Sequence, residues 1–153
     1  MKESVQCSLT CALDHIYRNK DKYGIDDINK LIKEKWYNGF HVHAPSGATP
    51  KDGPSAGCAF TTAFISRILG KPIYNDIAMT GEIDLLGNVT KIGGLEYKIN
   101  GAKKAGIKTI IISNENKKDY LKIKKNDSKL FKNLKIITVD KIDEIIPHAI
   151  NLK

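Results

Sequence analysis

The segment Pro50-Lys51-Asp52-Gly53-Pro54-Ser55-Ala56-Gly57 constrains this chain more than any other stretch. Two prolines and two glycines frame a serine. An apolar pattern at helical spacing follows at once: Ala56, Ala59, Phe60, Ala63, Phe64, Ile68 and Leu69, closed by Gly70 and Pro72. A helix entered from a Gly-Pro turn leaves its first backbone N–H groups without intrahelical partners. Together with the positive end of the helix dipole they can receive a negative oxygen. A serine beside such donors has what acyl transfer needs. A serine at a helix start more commonly serves only as an N-cap, and the local pattern alone favours that role.

A serine hydroxyl needs a base before it can attack. His41 and His43 lie in the alternating stretch Phe40–Ala44, which predicts a strand with both rings on one face. No neighbouring Cys, Asp or Glu completes a metal set, so the pair reads as structural. Lysine is the other candidate, provided that an apolar setting lets it give up its charge. Most lysines here sit in polar runs. Lys98 follows Ile92-Gly93-Gly94-Leu95 and precedes the amphipathic segment from Ile99 to Ala105, which places it near a helix start beyond a tight turn. A lysine there is ordinarily a solvated surface residue, and spacing does not separate the two readings.

Three ordered motifs go further. Pro50–Gly57, then Ala78-Met79-Thr80-Gly81-Glu82, then Ile92-Gly93-Gly94-Leu95 with Lys98, together resemble the proteolytic domain of Lon proteases. The likeness runs from Met1-Lys2-Glu3-Ser4 through Gly106-Ile107-Lys108-Thr109 and Glu115-Asn116-Lys117, and stays in step to the C-terminus. The 43-residue separation of Ser55 and Lys98 is also that of the Lon pattern. The resemblance implies a serine endopeptidase with Ser55 as nucleophile, Lys98 as general base, Thr80 orienting the lysine, and an oxyanion hole from the backbone N–H groups of Gly53, Ser55 and Ala56. Asp52 is expected to cap the helix or to pair with Lys98 in a resting state. The resemblance further implies a hexameric ring when the domain is complete, polypeptide substrates, and an ATPase module in cis or trans that serves ATP-dependent degradation. Family members carry strands upstream of the position matching Met1, so the expectation is one Lon-type domain over 1–153, N-terminally truncated, that as an isolated fragment is a monomer or weak oligomer. The alternative is a catalytically silent Lon-like assembly or binding module.

Composition narrows the remaining classes. At 153 residues the chain makes one domain. No apolar run approaches the roughly 20 residues of a membrane helix, and Met1 opens no signal-peptide pattern. Three cysteines without a CxxC read as reduced thiols, so a cytoplasmic setting, or a mitochondrial matrix in a eukaryote, is expected. No Gly-x-x-x-x-Gly-Lys-[Ser/Thr] occurs, so the chain is expected to hydrolyse no ATP and to need no cofactor of its own. The net charge of +8 comes from scattered lysines, densest from Lys117 to Lys135, with little aromatic interleaving. That reads as a solvated surface, with at most weak, salt-sensitive nucleic-acid binding.

The remaining pattern predicts helices over Lys2–Lys22 and Asp26–Trp36, and a strand over Asn75–Thr80. A hairpin of Glu82–Leu86 and Val89–Ile92 is expected to turn at Gly87-Asn88. The β-branched run Thr109–Ser113 reads as a strand buried on both faces. A helix over Asn114–Lys124, a strand over Leu134–Val139 and a helix from Lys141 to about Ile150 complete an α/β (α+β) fold, a mixed sheet with flanking helices.

Overall fold

In the computed structural model, described over residues 2–36, 39–43 and 53–152, helix boundaries fall where local chemistry stops the chain. The first helix, α1 (Lys2–Arg18), gives way to a short 3-10 turn, and Gly24 ends that turn in the left-handed region at φ 64°. Asp27 opens α2 (Ile28–Lys35) by accepting from the N–H groups of Asn29 and Lys30 at 2.8 and 3.1 Å, a side-chain cap. Helix α3 (Gly57–Leu69) stops at Gly70, φ 66°, the left-handed stop that glycine allows without strain.

The expected strand from Phe40 to Ala44 does not appear over Phe40–His43, and Ala44 lies outside the described residues. Phe40 instead stacks on Trp36 at 5.2 Å and meets the edge of Phe64 at 5.6 Å. Aromatic packing onto α3 has replaced strand pairing there. His41 and His43 are both exposed, and no cluster of three or more potential metal ligands occurs among the described residues.

The sheet is parallel throughout, with order β1 (Ile77–Thr80), β4 (Thr109–Ser113), β5 (Lys135–Val139). The run Ile110-Ile111-Ile112 in the central strand alternates between faces. Ile111 joins the core under α1, α3 and α6 (Ile142–Ala149), with Ile16, Ile65, Ile68 and Ile146. Ile110 and Ile112 face a second core with Ile99 of α4 (Leu95–Lys104), Leu130 and Phe131. Helix α5 (Lys117–Asn126) adds partly buried Tyr120 and Ile123 to that face. The α/β class is the one that the sequence predicts, but the expected mixed sheet is not formed: the only antiparallel strand pair among the described residues stands apart as a separate two-stranded hairpin, so the three-stranded sheet stays parallel. No helix among the described residues is long and apolar enough to cross a membrane.

Between β1 and α4 the chain forms a small hairpin of β2 (Glu82–Ile83) and β3 (Val89–Thr90). It is shorter than the alternation suggests, because the Asp84 carboxylate takes the N–H groups of Leu86 and Asn88, both at 2.9 Å. That turn ends ladder pairing at Ile83.

One buried polar chain ties α1 to α6. Tyr23 Oη donates to His15 Nε2 at 2.7 Å, and His15 Nδ1–H donates to Asp143 Oδ1 at 3.0 Å. Burial holds the His15 imidazole below its ordinary value of 6.5, against the opposing pull of Asp143. Burial alone would raise Asp143, yet the hydrogen bond from His15 and the nearby Arg18 guanidinium outweigh it and hold that carboxyl below its usual range. The signs agree. A histidine lowered on folding stabilises above 6.5 and loses that contribution as pH falls through and below it. A lowered carboxyl contributes above 3.8 and loses it below. Thermal unfolding should therefore move to lower temperature as pH drops below about 6.5. His15→Gln should flatten that slope while leaving the loss below about 4 in place. A melting temperature independent of pH between neutrality and 5 in the wild type would contradict the assignment.

Candidate active site

Ser55 occupies the turn immediately before α3, whose N-cap position is Ala56. Among the described residues, the serine side chain makes no cap hydrogen bond. Its Oγ instead accepts from Lys98 Nζ at 2.9 Å, joining segments 43 residues apart. The plain capping role that the local pattern favours does not occur.

The turn is pinned from behind by Gly81. The Gly81 N–H donates to the Ser55 carbonyl at 3.0 Å, and the Gly81 carbonyl accepts from Cys58 N–H at 3.1 Å. A Cβ at Gly81 would meet Val89 Cγ1 at 2.6 Å and Cys58 Sγ at 2.7 Å, so only glycine allows this approach. Thr80 also reaches the turn: its hydroxyl donates to the Ser55 carbonyl at 3.2 Å. No Thr80–Lys98 hydrogen bond occurs among the described residues, which differs from the expectation that Thr80 orients the lysine. Thr80 comes at the end of β1, and from there its hydroxyl meets the main chain of the serine turn.

The first-turn donors are also differently disposed than a simple helix start suggests. Gly57 N–H is taken by Pro54 O at 2.9 Å, and Cys58 N–H by Gly81 O. The N–H groups of Gly53, Ser55 and Ala56 donate to no described backbone carbonyl. These three positions lie just ahead of the helix. Asp52 lies outside the described residues, and so does any contact it makes.

Lys98 is delivered by the turn Ile92-Gly93-Gly94. Gly94 takes the left-handed conformation at φ 66° and opens α4. The helix anchors itself through Leu95 and Ile99, both buried, which leaves Lys98 half-buried on its flank and directed at Ser55. Lys98 makes no ion pair among the described residues.

Asn116 fixes the turn from the far side, a role that spacing alone does not expose. It is wholly buried; its Oδ1 accepts from Ile92 N–H at 3.0 Å and its Nδ2 donates to Ile92 O at 3.0 Å. Glu115 accepts from Lys91 N–H at 2.8 Å beside it. The motif Glu115-Asn116-Lys117 is visible in the sequence, but its partner 24 residues upstream is not. Asn116→Ala should orphan both main-chain groups of Ile92, costing about 1–3 kcal/mol for each. Asn116→Asp keeps an acceptor and should fall between the two. Urea midpoints of the three proteins check this, and equal midpoints would refute it.

A groove of about 610 Å³ opens beside the serine turn, between Gly53–Pro54 and the Glu82–Leu86 segment, with Cys7 of α1 in its wall. Helix α1 is locked to the same corner, since Ser8 Oγ donates to Gly57 O at 3.2 Å. A hydroxyl hydrogen-bonded to an amine, unengaged backbone donors and an adjoining groove form a set suited to attack on a carbonyl.

The sequence profile of the Lon protease (S16) C-terminal proteolytic domain matches residues 1–152. The chain belongs to that family. It is similar to a Lon protease homolog of Acanthamoeba polyphaga mimivirus, 54% identical over 147 residues, which is 95% of this chain and 14% of that protein. It is also similar to the Lon protease of Haemophilus influenzae, 46% identical over 150 residues covering 98% of this chain and 17% of that protein. With the Lon protease of Trichlorobacter lovleyi it shares 45% identity over 152 residues, 98% of this chain and 17% of the relative. The chain therefore spans about one-sixth of the length of these Lon relatives, and the match covers the part that holds Ser55, Thr80 and Lys98.

Proposed function

We propose that this Lon-type domain is a serine endopeptidase that hydrolyses peptide bonds through a Ser55–Lys98 dyad. The observation that carries the reading is the 2.9 Å contact between Lys98 Nζ and Ser55 Oγ. In the reaction, neutral Lys98 takes the Ser55 proton as Oγ attacks the substrate carbonyl. The developing oxyanion is met by the backbone N–H groups of Gly53, Ser55 and Ala56. Lys98 then gives its proton to the leaving amine, which departs and leaves an ester on Ser55. Water, deprotonated by the same lysine, hydrolyses that ester. Thr80 acts by holding the Ser55 main chain in place. Asp52 is assigned a resting-state role, pairing with Lys98 and keeping it charged.

Substrates are unfolded polypeptides. The long relatives support a partnership with an ATPase module, in cis or trans, that unfolds proteins and delivers them to a ring of such domains. Nothing in this chain supplies that work, because it carries no phosphate-binding loop. The isolated chain should cleave casein-like, unstructured substrates slowly and stably folded proteins hardly at all, since a buried bond must first be exposed by local or global unfolding. ATP should alter neither rate. A side-by-side assay with and without ATP tests this. ATP-stimulated loss of the folded protein would overturn the division of labour, and failure to cleave either substrate would favour a silent assembly module.

A further inference from the structure

Cys7 and Cys11 stand four residues apart on α1 and so share one face of it. Their thiols are brought together on consecutive carbonyls at the end of β2: Cys7 Sγ donates to Ile83 O at 3.4 Å and Cys11 Sγ to Asp84 O at 2.8 Å. Cys7 is half-buried and forms part of the wall of the 610 Å³ groove beside Ser55, whereas Cys11 is enclosed behind it. We propose that these two thiols form a dithiol site for a thiophilic arsenic(III) centre, of the arylarsine oxide class, entered from that groove.

Geometry selects a bridging atom over a direct bond. Helical positions i and i+4 hold their Cβ atoms about 5–6 Å apart. A disulfide requires about 3.5–4.5 Å, so it cannot close without unwinding α1. An atom bonded to both sulfurs adds the missing reach and leaves the helix intact. Soft thiolates also prefer soft acceptors. Zinc would need further ligands, and no group of three or more potential ligands occurs among the described residues. Arsenic(III) carrying one aryl group needs only two thiolates.

The step balances without an oxidant. The two S–H protons pass to the arsenic-bound oxygen, two As–S bonds form, the As–O bonds break, and one water leaves. The third thiol offers no comparable site. Cys58 is buried, its thiol pushed up to about 12 by that burial, and no second cysteine pairs with it. Cys11 is likewise pushed up to about 12, by burial first and by the neighbouring Cys7 second, so attack begins at the groove-facing Cys7.

Binding has a consequence that rests on the proteolytic reading. It withdraws both thiol donors from Ile83 and Asp84 and seats the aryl group between Gly53–Pro54 and the hairpin. The aryl group then obstructs the groove beside Ser55, and peptide hydrolysis should fall.

The test is a titration of the full chain with phenylarsine oxide, read by intact mass, peptide mapping and hydrolysis of an unstructured peptide. Expected are one phenylarsenic per chain on Cys7 and Cys11, release by a dithiol and not by an equal concentration of monothiol, and a loss of hydrolysis of tenfold or more. Cys7→Ser and Cys11→Ala should each weaken binding at least 100-fold. Because Cys11 is buried, the Cys7 variant decides the point if the other fails to fold. Mapping to Cys58, or undiminished binding to Cys7→Ser, would overturn the site. Stoichiometric binding to both thiols with undiminished hydrolysis would overturn the blocking consequence. Binding as expected by a chain that hydrolyses no peptide before treatment would remove the proteolytic reading and leave the dithiol site standing.

Discussion

Ser55→Ala is expected to reduce peptide hydrolysis to background while leaving the fold intact. The substitution removes the hydrogen bond from Lys98, so stability should fall by about 0.5–1.5 kcal/mol, too little to unfold the domain. Lys98→Arg should be equally informative. Arginine keeps the charge and much of the reach, but it does not give up its proton, so it can donate to Ser55 and cannot accept from it. A lost general base costs about 10²–10⁴-fold in rate. If arginine supported hydrolysis within a few-fold of wild type, Lys98 would be only an electrostatic anchor. Rates with a short unstructured peptide, together with urea midpoints for both variants, separate chemistry from folding.

Gly57→Ala should damage both stability and activity. Alanine is the better helix former, and at an open helical site the exchange would gain about 1 kcal/mol. At Gly57 the new methyl would lie 2.8 Å from Ile83 N and 3.0 Å from Ile83 Cγ2. The nearest obstacle is main chain, which cannot rotate aside, so α3 and β2 must separate. Overpacking of this kind costs about 1–3 kcal/mol. The shift also falls on the corner where Gly81, Ser55 and the groove meet, so hydrolysis should drop further than stability explains. Gly101→Ala is the control: it lies within α4 with nothing within 4 Å of the added methyl, and should stabilise slightly. Urea midpoints and peptide rates of both variants decide the matter. A Gly57→Ala protein as stable and active as wild type would show that the close approach is not needed.

These effects show which features a reader of the sequence can recover. Thr109–Ser113 is legible because a β-branched run buried on both faces leaves no polar alternation to confuse it, and it became the central strand. Lys98 is singled out by the resemblance to the Lon motifs, because spacing alone leaves a solvated lysine equally open; only the fold shows Leu95 and Ile99 anchoring α4 with Lys98 on its flank against Ser55. What stayed hidden depends on partners distant in sequence. Asn116 reads as a polar residue in a turn until Ile92 is seen to use it for both main-chain hydrogen bonds. Thr80 appears in the right place but grips the Ser55 carbonyl instead of the lysine. The hairpin strands look long until the Asp84 carboxylate takes two backbone donors for its own turn. Phe40 alternates like a strand residue, yet contact with Trp36 and Phe64 decides its position.

The measurement that bears most directly on the dyad is covalent labelling of the full chain with a fluorophosphonate, followed by mass mapping of the modified residue. The account predicts a single adduct on Ser55, formed at least 100-fold more slowly in Lys98→Arg. An adduct on another residue, or labelling of Ser55 at an undiminished rate in Lys98→Arg, would contradict it.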